Sequence, residues 1–457
     1  MRLPIPIETS QPRSRQTSTA HLMNCFAEQM PSDAKSPVKI VRSHGIGSWS
    51  TIGNGPIQAM HASQGVLYVV SGGVLYTVTT AGVGTSRGTV GSSTDLDIDS
   101  NDTGVVVVNN PNAFKFDSTF AQITDADFLG ASNVEFVDNY LLFTDPDEDT
   151  FFGADLGSLT SFDALNFASA EAVPDDIVGM KVDHRQVLLF GEKSTEVWEN
   201  TGISGFPFER SINGIIELGC ANGRTIEKLD NSVFWLADDL TIRKLEGLTP
   251  TRISTHSIEQ WLRNVTISSG RSTSYTYEGH LHYVLTFTEG TRIFDVTTGL
   301  WHARSTYETD NWKWGWAVNY AGKVLVGSST SNVIGYLSSE IYDENGLTMV
   351  AEWTYQPVIA EGKRAFHHRL EMMFEQGVGL TSGQGSAPEA QLDMSNDEGV
   401  TWLSLPNKDL GPIGAYSQRT YWSALGSSRR RVYRGRLSDP VRLTLTDTQI
   451  DVTGGRV

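Results

Sequence analysis

Two kinds of side-chain pattern in this 457-residue chain have the composition for chemistry: carboxylates at alternate positions, and one dense run of arginines. Asp95, Asp97 and Asp99, and again Asp145, Asp147 and Asp149, have the spacing of the first ligands of a calcium loop. The second set has Thr150 where such a loop turns on Gly, and Leu156 where it needs a bidentate Glu. In the first set Leu96 and Ile98 alternate with the aspartates, as in a strand with a solvated or channel-facing acidic side. His280 and His282 alternate within reach of one metal, but no third ligand accompanies them. His367 and His368 would point to opposite faces of a strand. No G-x-S-x-G, Walker, HExxH or dinucleotide glycine signature is present. No catalytic residue, cofactor or metal site is therefore assigned.

The arginine run is Arg429, Arg430, Arg431, Arg434 and Arg436, set in a chain of formal charge −18. On a strand these side chains divide between both faces. A basic strip on an acidic chain suits docking to an acidic neighbour, either another subunit or an adaptor ring. Other arginines, among them Arg185, Arg210, Arg224, Arg243, Arg252, Arg271 and Arg292, are scattered through the strand-rich region. A sialidase would gather such arginines around a carboxylate substrate, beside a Tyr–Glu nucleophile pair. The segment SNDEGVTW supplies Ser395, Asp397, Gly399 and Trp402 in the spacing of an Asp-box, a turn-forming device of sialidases and related propellers. It occurs once, and its role is structural. Trp312, Trp314 and Trp316 alternate and are expected on one face of a strand, packing between neighbouring sheets.

These residues sit among short strands. In VLYVVSGGVLYTV, residues 66–78, two apolar strands flank Gly72-Gly73, a dipeptide suited to a tight hairpin. Looser copies begin at 105, 233, 282 and 323. One hairpin cannot bury its apolar face, but many arranged radially can, and that is a β-propeller. Units near 54–91, 93–124, 132–168, 175–212, 220–253, 270–304 and 314–338 predict about seven blades. Ser254–Asn264 reads as a helix, capped by Ser254 or Thr255, with Ile258, Trp261 and Leu262 on one side. Beyond residue 344 the strand spacing changes and a Gly-rich loop spans 377–389. The expected class is all-β: an extended N-terminal arm (1–35), a β-propeller (36–344) with a helical insertion near 254–264, and a β-sandwich-like domain (345–457).

The composition agrees, with 44 Gly, 10% aromatic and 19% charged residues. The acidic balance argues against a protein that grips nucleic acid through phosphates. It does not argue against one past which DNA slides. Two cysteines without a framework read as reduced thiols, no secretory leader is expected at the N-terminus, and no apolar run predicts stable membrane insertion.

Taken in order, several segments resemble the packaged-DNA stabilisation proteins, the tail-hub or nozzle family of short-tailed bacteriophages. They are EAVPDDIVGM (Glu171 to Met180), LLFGEKSTEVWENTG (Leu188 to Gly202), ISTHSIEQWLR, and the ending RTYWSALGSSRRRVYRGRLSDPVRLTLTDTQIDV. The resemblance implies a non-enzymatic virion subunit, made in the host cytoplasm, that assembles as a hexameric ring. It implies a ring that docks beneath the portal-adaptor protein, extends the conduit for double-stranded DNA, helps retain packaged DNA, and meets a tail needle, plug or fibre. Six copies would carry six times −18, or −108. The alternative is a carbohydrate-binding or sialidase-like propeller, as in a receptor-binding protein or glycosidase.

Overall fold

The computed structural model describes residues 1–10, 13–31, 33–34, 36–359 and 363–455. Local turn chemistry sets the hairpins. Gly72 and Gly73 take φ of +56° and +78°, joining strands Val66–Ser71 and Val74–Val78 as the sequence predicts. Four-stranded antiparallel sheets then follow along the chain at 57–89, 96–122, 133–169, 177–216, 227–252 and 271–304, which we number blades 1 to 6. The first strand of each blade is innermost, and the innermost strands contact one another around an axis. Apolar side chains fill the gaps between blades. Val106, Val134, Phe143 and Phe152, for instance, join blades 2 and 3.

Blade 7 closes the ring. It takes three strands from 314–338, and its fourth is Gly45–Thr51 from near the start of the chain. Its first strand contacts the first strand of blade 1, so the propeller has seven blades and no open end. Closure of this kind ties the two ends of the propeller segment together, and neither terminal blade can peel away alone.

Residues on both sides of the propeller build the second domain, a sandwich of two sheets. One sheet runs through His21–Met23, Ala351–Thr354, Arg430–Leu437, Glu389–Ser395 and Leu403–Ser404. The other runs through Cys25–Gln29, Val38–Arg42, Thr444–Gly454, Ala365–Phe374 and Thr420–Ser423. Leu22, Ile40, Trp353, Leu370, Trp422, Tyr433 and Ile450 are buried between them. Gly435 is required here, because a Cβ would lie 2.3 Å from the Trp353 ring. The expected arm thus differs from what forms: its two strands are integral to the sandwich, and Val38–Arg42, expected in the propeller, pairs with Thr444–Gly454. VKIVR has the look of any blade strand; only its distant partner assigns it.

The two domains share backbone. His21–Met23 pairs in parallel with Leu300–Arg304, the outer strand of blade 6, and antiparallel with Ala351–Thr354 of the sandwich. A single sheet therefore continues from blade 6 into the sandwich. The helix is shorter than expected, His256–Leu262, with Thr255 capping it by accepting from the Ile258 amide. Its Ile258 and Leu262 are buried between blades 5 and 6, so it is a packing plug.

At the junction of blade 6, blade 7, the closing strand and the sandwich linker lies a buried ion pair. Arg304 and Glu344 are 0% and 1% exposed and 3.0 Å apart. Arg304 also donates to the His44 carbonyl at 2.7 Å, and its guanidinium stacks 4.1 Å above Trp312. Glu344 accepts from Thr306 Oγ1 at 2.9 Å and Trp312 Nε1 at 2.8 Å. Removing one partner strands a buried charge. Arg304→Met is expected to lower the unfolding free energy by about 3–5 kcal/mol, measured by denaturant titration. The double variant Arg304→Met/Glu344→Leu is expected to recover much of that loss.

Candidate functional site

The structure divides the arginine strip. Arg429 and Arg430 are exposed at the edge of the sandwich, and Arg430 pairs with Glu398. The other three are spent inside the domain. Arg431 is 2% exposed and donates to Asn396 Oδ1 at 2.9 Å and to the Leu425 carbonyl. Arg434 and Arg436 converge on the buried Asp393, at 2.8 and 2.9 Å. Of the five candidate contact residues, Arg431, Arg434 and Arg436 are tied within the domain, and Arg429 and Arg430 are exposed, Arg430 already holding Glu398 as an ion partner.

The Asp-box forms its turn. Ser395 Oγ donates to Asp397 Oδ1 at 2.6 Å and accepts from the Gly399 amide at 2.8 Å. Asp397 accepts from the amides of Val400 and Thr401 and from the Thr401 hydroxyl. These hydrogen bonds, led by Ser395, hold its carboxyl below the usual range. Gly399 has φ +84°, a left-handed turn position. Trp402 carries the Arg434 guanidinium 4.2 Å above its ring, so the box and the arginine ties form one unit.

The tryptophans do not share a face. A bulge between Trp314 and Trp316 breaks the alternation. Trp312 and Trp314 pack toward blade 6, and Trp316 joins the cluster shared with blade 1. The scattered arginines each have a local partner: Arg185 with Asp138, Arg210 with Glu196, Arg243 with Asp239 and Arg252 with Glu259. Arg292 stacks on Trp261 and Arg271 on Trp316. Of the scattered set, Arg224 and Arg271 line the cavity on the propeller axis. Among the described residues, no three His, Cys, Asp or Glu side chains are grouped to hold a metal ion. Cys25 and Cys220 are buried free thiols.

The axis is built from the blade-2 aspartates and their counterparts. Inner strands have no ladder partner on their axial side, so their backbone amides need other acceptors. Asp97 accepts from the Val134 amide and Asp99 from the Phe136 amide, linking blade 2 to blade 3. Glu135 accepts from Lys181 Nζ and the Val182 amide, linking blade 3 to blade 4. Ser274 of blade 6 donates to Glu227 of blade 5. Burial pushes the Glu135 and Glu227 carboxyls up. Burial alone would lower Lys181, but Glu135, Glu227 and Asp97 outweigh it and hold the ammonium above its ordinary range. The remaining axial space is about 190 Å³, lined by Asp97, Glu135, Lys181, Arg224 and Glu227. It is a small polar cavity, far too narrow for a duplex.

A second feature escaped the sequence. The Phe26 ring, from the second N-terminal strand, lies among four imidazoles: His44, His280, His282 and His302, at centroid distances of 5.8, 5.0, 5.8 and 5.5 Å. The histidines belong to blade 6 and the entry to the closing strand, and Phe26 belongs to the sandwich. The seam is thus a cage on the propeller gripping one aromatic ring. The alternation of His280 and His282 was visible; His44 and His302 come from distant segments and join only through the blade 6–7 closure. Burial holds His44 and His302 down to about 3, and His282 well below its usual range. His280 is shifted the other way, upward, by its hydrogen bond to Asp295 at 2.7 Å.

Seven blades closed by an N-terminal strand, with a sandwich sharing the sheet of blade 6, define a propeller–sandwich protein. Residues 6–342 match the family described as Bacteriophage P22 Gp10, beta-propeller, and residues 353–453 match Bacteriophage P22 Gp10, beta-sandwich. The chain belongs to the bacteriophage P22 Gp10 family of phage structural proteins. No curated protein matches it. Among solved structures, the Neurospora crassa Pan2 WD40 domain is 8% identical, with a TM-score of 0.42 over 64% of this chain and 95% of that one. The Myceliophteria thermophila Cps50 (Swd1) propeller domain is 10% identical, with a TM-score of 0.43 over 64% and 99%. At these scores no functional conclusion rests on either.

The histidine cage makes stability acid-sensitive. A histidine whose folded pKa lies below its unfolded value of about 6.5 takes up a proton on unfolding. Its contribution is complete above that value and falls with pH, by about 1.4 kcal/mol per unit, down to the folded pKa. For His44 and His302 this window runs from about 6.5 to about 3. His280 acts in reverse, stabilising below its unfolded pKa and losing that contribution as pH rises through the raised folded value. Melting temperature is expected to drop steeply between pH 6 and 4. His282→Phe is expected to flatten that drop in a calorimetric pH series.

Proposed function

We propose that this chain is the ring-forming hub subunit of a short-tailed phage, which docks beneath the portal adaptor, extends the DNA conduit and helps retain packaged DNA. The carrying observation is the family match, which spans both domains. Three physical features support the reading. The axial cavity of the propeller is closed to a duplex by its own side chains, so a conduit has to lie between subunits. The net charge of −18 disfavours phosphate adhesion, as a wall past which DNA must move requires. The sandwich and propeller share a sheet and a buried ion pair, which suits a rigid building block.

In this role the protein has no chemistry to perform on DNA. Retention is mechanical: the ring continues the channel below the adaptor and presents a seat for a tail needle or plug. Fibre proteins would attach from outside. The glycosidase alternative needs three arginines converging on a substrate carboxylate; Arg224 and Arg271 meet at the axial cavity, while Arg185, Arg210, Arg243, Arg252 and Arg292 are paired or stacked elsewhere.

The test is packaging without the subunit. Particles assembled in its absence are expected to fill with DNA and then lose it, so that nuclease treatment of purified particles leaves few genome-length molecules. Adding the purified chain to freshly filled particles should restore protection. Particles that keep their DNA without the chain would overturn the reading.

A further inference from the structure

The outer strands of blades 3 and 4 share a peculiarity that the propeller does not need. In blade 3, Phe152 pairs with Phe167 and Ala154 with Phe162, so residues 163–166 oppose the single Gly153. In blade 4, Trp198 pairs with Arg210 and Glu196 with Ile215, so residues 211–214 oppose the single Val197. Each bulge lifts an aliphatic side chain into solvent: Leu165 is 76% exposed and Ile212 is 91% exposed. Phe167 and Ile215 flank them, at 48% and 44%. Bulges twist an edge strand and re-aim its side chains. Here they aim apolar groups away from any core, on neighbouring blades, which marks a contact surface.

The two blades that carry the bulges are also the most acidic stretch of the chain, although the exposed Arg210 sits beside the second bulge. Residues 133–216 hold sixteen Asp and Glu against four Lys and Arg, net −12 of the chain's −18. Asp163 and Glu209 lie exposed beside the bulges. Residues 353–455, by contrast, hold eleven of each sign and are neutral. Within them, basic groups gather at one end. Ile359 pairs with Arg430, and Phe366 pairs with Ser427, bringing Lys363, Arg364, Arg429 and Arg430 to one edge of the sandwich. Ile359 and Phe366 are 51% and 46% exposed there.

The two surfaces lie on opposite sides of the protomer. The sandwich is joined to blades 6 and 7, and in a seven-bladed ring the boundary between blades 3 and 4 faces blade 7 across the axis. We propose that copies of this chain associate head to tail, the basic sandwich edge of one seating on the acidic, bulged face of blades 3 and 4 of the next. Opposite charge gives register, and the exposed aliphatic and aromatic groups supply the buried area. Because the two patches differ, the contact is heterologous, and repeated rotation closes a ring. The proposal rests on the ring-forming reading and names the surfaces that make the ring.

Mass photometry of the purified full-length chain tests it with two variants, Leu165→Asp/Ile212→Asp on the bulged face and Arg429→Glu/Arg430→Glu on the sandwich edge. All four positions are exposed, and unchanged melting curves would verify folding. Wild type is expected to form rings that weaken about tenfold or more as salt screens the charges. Each variant alone is expected to be monomeric. Mixed together they should form dimers and nothing larger, because each retains one working surface. Wild-type rings with either variant assembling normally would overturn this inference and leave the ring reading intact. Normal rings with lost binding to the adaptor ring would assign the patches to the adaptor and also overturn it. A wild-type chain that stays monomeric would overturn both. Should a variant unfold, the salt dependence decides: rings indifferent to salt contradict a charge-matched contact.

Discussion

The architecture depends on the buried pair of Arg304 and Glu344. Four separate parts of the chain meet there: the last strand of blade 6, the connection from blade 6 to blade 7 at Trp312, the entry to the closing strand at His44, and the linker into the sandwich. A buried ion pair is a poor source of net stability but a strict demand on geometry, because either charge alone is costly. Trp312, in the connection from blade 6 to blade 7, stacks on the guanidinium and donates to the carboxylate, so the pair is complete only with that connection in place. The pair thereby couples the closing strand to the sandwich linker. The parallel pairing of Glu344 with Ile46 extends the same coupling along the backbone.

Two other polar arrangements follow from that closure. The inner strands leave amides facing the axis, and carboxylates from Asp97, Asp99 and Glu135 reach across to accept them. The resulting excess of negative charge is answered by Lys181. At the seam, Phe26 enters a cage of histidines that exists only once blade 6 and the closing strand are in place. The axial carboxylates accept from inner-strand amides that have no ladder partner, and the cage packs the sandwich against blade 6.

Much of the propeller was legible in the sequence because its signals are local. The Gly72-Gly73 hairpin and the seven strand-rich units each declare themselves within one blade's length, as does the Asp-box at Ser395 in the sandwich. Other features are defined by partners far away. Gly45–Thr51 is an ordinary strand until it pairs with Val333–Ser338, and Cys25–Gln29 and Val38–Arg42 join the sandwich only through Thr444–Gly454. The arginine strip shows the same limit in its chemistry. Five like charges in eight residues look like a docking surface, but Asp393, remote in sequence, absorbs two of them. The bulges at Leu165 and Ile212 were invisible because a bulge is a mismatch between strands, not a property of either one.

The proposed role puts the DNA conduit in a pore between subunits and not in the axis of each propeller. Electron microscopy of the purified full-length chain measures this directly. The account predicts closed rings in which every protomer shows a plugged propeller and the open channel, wide enough for a DNA duplex, sits at the centre of the ring. Isolated protomers at all concentrations, or rings with no such central channel, would contradict it.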